Sequence, residues 1–167
     1  MNKKIDGKRI ENLIEQEKWL KARELILKAL KEYKNDHWLL NRLSLTYYEE
    51  RRYRKALKVS TKALSLAPSC PMVLYDQAGL LYMLGQNKEA IKIYKRILRQ
   101  DMNSIAFGEC GEGLAWSRGL IADCHYCLAR CYCDMLEKKK AIAEYKKHLS
   151  LRGPGCRSIY KIDQVKK

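Results

Sequence analysis

The sequence has little that interrupts a helix. Three prolines and nine glycines stand among 167 residues, so long stretches are free to be helical. Phenylalanine occurs once, against eleven tyrosines. Tyrosine suits half-buried positions between helices, where the ring packs and the hydroxyl stays wet. Acidic residues are scarce: 19 Asp and Glu face 34 Lys and Arg, for a net charge of +15. The excess is about +8 in residues 1–70 and about +7 in 71–167, so it is no basic tail on a neutral body. Such a charge favours nucleic acid, anionic membranes or acidic proteins as contacts. No run approaches the ~18–20 apolar residues of a membrane span, so no membrane insertion is expected. Residues 1–8 are basic without an apolar core behind them, so they are not expected to be a secretory signal. Seven cysteines, an odd number and partly clustered, make no disulfide framework, and a reduced, cytoplasmic protein is expected. Catalysis needs a positioned acid–base pair. The three histidines, His37, His125 and His148, are far apart in the chain, and no nucleophile–base set accompanies them. The expectation is a protein that is not an enzyme and has no cofactor and no metal.

What the chain does have is a period of about 34 residues. Ala56 recurs as Ala90, Tyr48 as Tyr82 and Leu64 as Leu98, and the turn at Pro68-Ser69-Cys70 recurs at Asp101-Met102-Asn103. A period of that length marks a helix–turn–helix unit that buries its apolar face only by stacking on a neighbour. The residues that carry it are Leu43, Tyr47, Ala56, Ala63 and Pro68 in one copy, and Ala78, Leu81, Gly85, Ala90, Tyr94 and Leu98 in the next. At these positions the sequence resembles the tetratricopeptide repeat family. The resemblance implies an all-α fold, a right-handed superhelix of about four helix–turn–helix repeats with a C-terminal capping segment. As one domain over 1–167, the repeats fall at about 3–36, 37–70, 71–104 and 122–155. An insert fills 105–121, and the cap is 156–167. Asn35 and Asp36 are placed to cap the helix that follows them. The fourth copy carries Leu128, Ala129, Tyr132, Ala141, Tyr145 and Leu149, with Leu136-Glu137 where the family often has glycine.

Three features have competing readings. Cys124, Cys127, Cys131 and Cys133 share one predicted helix with His125. Positions 124, 127 and 131 spread along roughly 10 Å of axis, too far to close a tetrahedral site alone. Packing in small core positions is the simpler reading, with metal or redox chemistry as the rival. The insert holds Gly108, Gly111 and Gly113, but its Glu109 and Glu112 would repel a phosphate. An ordered loop anchored by Phe107 and Trp116 is expected, with Leu114 onward extending the next helix. Lys55, Lys58 and Lys62, then Lys88, Lys92, Lys95, Arg96 and Arg99, then Lys139, Lys146 and Lys147 line the second helices. They form a solvated face or a sequence-independent nucleic-acid contact, though few aromatics stand there for bases to stack on.

The resemblance also implies a concave groove lined by the first helices. Its positions carry over to Trp38, Asn41, Arg42, Leu45 and Tyr48, then to Tyr75, Asp76 and Tyr82. The fourth copy adds Asp123, Tyr126, Cys127, Arg130 and Cys133. Aromatics beside arginine are the composition of protein-binding hot spots. The competing readings are that these tyrosines pack between helices, or that the chain's own C-terminal segment fills the groove. The function expected is a non-enzymatic adaptor holding a peptide or helix of a partner protein. A basic nucleic-acid-contacting module is the first alternative and a cysteine metal or redox protein the second. The sequence does not set the oligomeric state.

Overall fold

A computed structural model describes residues 3–160 of the chain. Among them all regular structure is helical: α1 (Lys3–Glu15), α2 (Trp19–Glu32), α3 (His37–Glu49), α4 (Tyr53–Leu66), α5 (Pro71–Met83), α6 (Asn87–Ile97), α7 (Met102–Phe107), α8 (Leu114–Asp134) and α9 (Lys138–Leu151). The helices gather into two compact units, Met1–Ser69 and Cys70–Lys167.

The turns inside the hairpins repeat one device. Glu17, Arg51, Gly85 and Leu136 all have positive φ, between 54° and 74°. The residue after each returns an N–H to the carbonyl five positions back: Lys18 to Leu13, Arg52 to Tyr47, Gln86 to Leu81 and Glu137 to Tyr132, at 2.8–2.9 Å. This is the Schellman closure, which satisfies carbonyls that the end of a helix leaves open. The first three turns are 34 residues apart, and the last comes 51 later, one period plus 17.

In the first unit α1 packs on α2, α2 on α3 and α3 on α4. Its core is Ile10, Ile26, Ala29, Leu39 and Leu43, flanked by Trp38, Tyr47 and Val59. Ala22, Ala56 and Ala63 are fully buried, as small residues at close helix crossings must be. One buried cation is fully engaged. Arg23 donates from Nε to the Thr46 hydroxyl (3.1 Å) and from Nη2 to the Thr46 carbonyl (2.9 Å). It also pairs with Glu50 at 2.7 Å and lies over the Tyr47 ring. Asp36 caps α3 as expected, accepting the Leu39 N–H at 3.0 Å.

In the second unit α6, α7 and α9 all pack on the long α8, and α5 packs on α6 and α8. Val73, Leu74, Ala78, Ala90, Tyr94, Ile97, Ile105, Cys124, Leu128 and Cys131 fill its interior. The insert differs from a plain loop. Asp101 accepts the N–H groups of Asn103 and Ser104 and starts α7, whose Ile105 and Ala106 are buried. The loop is only 108–113, and α8 begins at Leu114. Phe107 is no anchor: it is 68 % exposed, because α7 turns Ile105 and Ala106 inward instead. The C-terminal segment is not helical through Tyr160; the remainder of the expected cap, 161–167, lies outside the described residues.

Candidate partner-binding face

The face in question is built on α5 and α8, in the second unit. On α8, residues 115, 119, 123, 127 and 130 fall on one stripe by helical spacing, with Tyr126 beside them. On α5, Tyr75 and Tyr82 stand seven residues apart and share a side. Tyr82 and Arg130 stack across the gap, with the guanidinium 4.5 Å from the ring centroid. Arg130 also lies 5.9 Å from the Tyr126 ring.

Residues 157–160 run along this stripe. The Arg157 N–H donates to the Ala115 carbonyl at 2.9 Å. The chain then crosses Gly119 so closely that a Cβ there would lie 1.8 Å from the Arg157 carbonyl oxygen. Asp123, only 2 % exposed, takes two hydrogen bonds from the segment: the Ser158 hydroxyl at 2.5 Å and the Ile159 N–H at 2.9 Å. Tyr160 is the last described residue of the contact. Its ring centroid is 4.4 Å from that of Tyr126. Its hydroxyl lies 3.3 Å from Cys127 Sγ and accepts from the Tyr75 hydroxyl at 3.5 Å.

Burial governs the chemistry here. It pushes the Asp123 carboxyl up, and the bonds from Ser158 and Ile159 offset only part of that rise. It pushes the phenols of Tyr75, Tyr94 and Tyr160 up. It raises the Cys127 thiol too, although all three of those phenols hydrogen-bond to it. Cys124 moves the same way, and Cys131 is pushed up to about 12. A thiolate is the form that binds metal or attacks disulfides. These three cysteines, 0–6 % exposed, are held as thiols in the core, while Cys133 is exposed. Beside them, His148 is buried and donates from Nδ1 to the Ala122 carbonyl at 2.8 Å.

The other groove positions lie as follows. Asp76 is half-buried on α5. In the first unit, Asn41 is buried, and Arg42 binds Glu11 at 2.8 Å with its guanidinium 5.4 Å from the Trp38 ring. Leu45 is half-buried, and Tyr48 packs on Tyr53 with centroids 5.5 Å apart. The lysines and arginines of the second helices are exposed, and Lys95 and Lys140 lie over the Tyr132 ring at 5.7 and 5.5 Å. Sequence reasoning did not single out Gly119, Ala115 or Ser158. Gly119 was the one available signal, since a glycine inside a helical pattern costs about 1 kcal/mol against Ala and so points to a packing reason for its place.

Residues 47–108 match the family model described as the tetratricopeptide repeat. No curated protein matches the chain. Among solved structures, it is similar to MamA (residues 41 to the end) from Desulfovibrio magneticus RS-1. That match has 19% identity and a TM-score of 0.69, covering 89% of this chain and 75% of that one. It is also similar to a MamA RS-1 ArsTM double mutant, at 19% identity and a TM-score of 0.68, covering 89% and 74%. A further MamA crystal structure has 22% identity and a TM-score of 0.64, covering 86% and 74%. Residues 47–108 are thus tetratricopeptide repeat, and the chain as a whole has the all-α helical-repeat fold of that class.

Proposed function

We propose that the chain is a non-enzymatic, cytoplasmic scaffold that holds a short peptide segment of another protein on its α5–α8 face. The repeat class is one of protein–protein interaction scaffolds. Among the described residues, no helix is long and apolar enough to cross a membrane. The observation that carries the reading is the seat of residues 157–160. A non-helical piece of backbone, bent at 159–160 where the Ser158 hydroxyl accepts the Tyr160 N–H at 3.2 Å, lies there against a buried carboxylate, a bare glycine and a set of tyrosines. Such a face supplies main-chain hydrogen bonds and an aromatic anchor, two things that hold a short peptide segment.

The test is affinity capture from native lysate at low and physiological salt, with and without nuclease, using the wild type and the Tyr82→Ala/Arg130→Ala variant. A protein retained through salt and nuclease by the wild type and lost by the variant is the expected result. Retention by both chains would move the site off this face. Nucleic acid that leaves as salt rises would move the function to the exposed lysines of α4, α6 and α9.

A further inference from the structure

The segment seated on α8 meets the face residue by residue. Each of its residues meets different chemistry. Arg157 is read only through its backbone, because its side chain is exposed and its N–H goes to Ala115. Ser158 is read through its hydroxyl, which the buried Asp123 accepts. Ile159 is read through its N–H alone; its side chain is 68 % exposed. Tyr160 is read through both ring and hydroxyl, by Tyr126 on one side and by Cys127 and Tyr75 on the other. A buried carboxylate left without donors is costly, so Asp123 penalises any occupant that cannot supply two.

We infer that the α5–α8 face is a peptide site selective for a short segment, bent as residues 158–160 are, with a hydroxyl residue two positions before a tyrosine, and that Ser158–Ile159–Tyr160 is its resident, competing ligand. The inference rests on the scaffold reading above and adds the ligand's chemistry. A partner segment of this kind must displace residues 157–160. Its apparent affinity is lowered by the fraction of time the face stands open. The same contacts set the direction of approach: the ligand runs parallel to α8, from Ala115 to Cys127. Gly119 sets the depth, since any side chain there would stand where the ligand backbone passes.

The test is titration of a capped, fluorescein-labelled peptide, Gly-Pro-Gly-Ser-Arg-Ser-Ile-Tyr, into full-length chains. Ser158→Glu sets a carboxylate against Asp123 and unseats the segment, which free amide exchange at Ile159 verifies. If Ile159 stays protected, Tyr160→Ala unseats it by removing the anchor. The released chain is expected to bind the peptide at least about tenfold tighter than the wild type. Peptides with Ser→Ala or Tyr→Ala should lose about tenfold, the equivalent of one hydrogen bond to a charged group. Ile→Ala should change nothing. Adding Gly119→Ala to the released chain should abolish binding without unfolding the protein.

A released chain that does not bind the peptide overturns the inference. So does binding that Gly119→Ala leaves intact, or a released chain that sediments as a dimer and excludes the peptide, which would give the face to a second copy. If the peptide fails while capture still depends on Tyr82 and Arg130, only the selectivity falls and the scaffold reading stands.

Discussion

Replacing Gly119 by Ala adds one methyl group to the middle of α8. On its own this should stabilise the helix, since Gly in a helix interior costs about 1 kcal/mol against Ala. The new Cβ would lie 1.8 Å from the Arg157 oxygen and 2.3 Å from its carbon, and both atoms are backbone that no rotamer change can move aside. Residues 157–160 must therefore leave. They give up the bond to Ala115, worth about 1 kcal/mol, and two to the Asp123 carboxylate, worth about 1.5–3 kcal/mol each. They also give up the half-buried Tyr160 ring, about 1–2 kcal/mol. Against this stands the freedom regained by four residues, about 1–2 kcal/mol each. The two sides cancel to within a few kcal/mol. Melting should change little, while amide exchange at Ile159 rises sharply.

A double-mutant cycle makes the argument quantitative. Tyr160→Ala should cost about 1–2 kcal/mol in the wild type and nothing in Gly119→Ala, where the ring is already free. Denaturant titration of the four chains, with exchange read at Ile159, is the assay. Additive costs, or an Ile159 amide still protected in Gly119→Ala, would refute the reasoning.

Leu136 is 82 % exposed and has a φ of 60°, in a turn where the third hairpin has Gly85. Leu136→Gly should raise stability by roughly 0.5–1 kcal/mol in a denaturant titration, as strain relief outweighs the added freedom of the unfolded chain. Burial pulls the His148 imidazole below its ordinary 6.5, and Nε2 is enclosed without a hydrogen-bond partner. The neutral ring's contribution is therefore full above pH 6.5 and is lost as pH falls below it through the folded value. His148→Gln, compared with the wild type by melting between pH 7.5 and 5, should flatten that acid-side loss; an unchanged slope would assign it elsewhere. Ala90 is fully buried, so Ala90→Leu should cost about 1–3 kcal/mol by overpacking, and an unchanged melting temperature would contradict the packing of α6.

Much of the repeat was legible because its signals are local. A helix shows its buried stripe at spacings of three and four, and Ala56, Ala63, Ala78 and Ala90 mark the crossings that only a small side chain allows. The turn positions were legible for the same reason, and Asp36 and Gly85 sit where a cap and a left-handed residue belong. The insert was less so. Asp101 capping Ser104 makes a six-residue helix too short to show a period, and it turns Phe107 out to solvent. Groove positions carried over by resemblance gave Tyr126 and Arg130 a shared face, but they did not show that Asn41 is buried or that Arg42 is held by Glu11.

The sequence by itself determined the helices of the four hairpins, their spacing and the 17-residue break before the last hairpin, because each depends on residues within a few turns of one another. Only the tertiary structure decided the path of residues 157–160. They have no periodicity, and their partners Ala115, Gly119, Asp123 and Cys127 lie more than thirty positions away on another element. Nothing local links a serine hydroxyl to a carboxylate 35 residues back. The link exists because α8 buries Asp123, and a buried carboxylate is stable only where donors reach it.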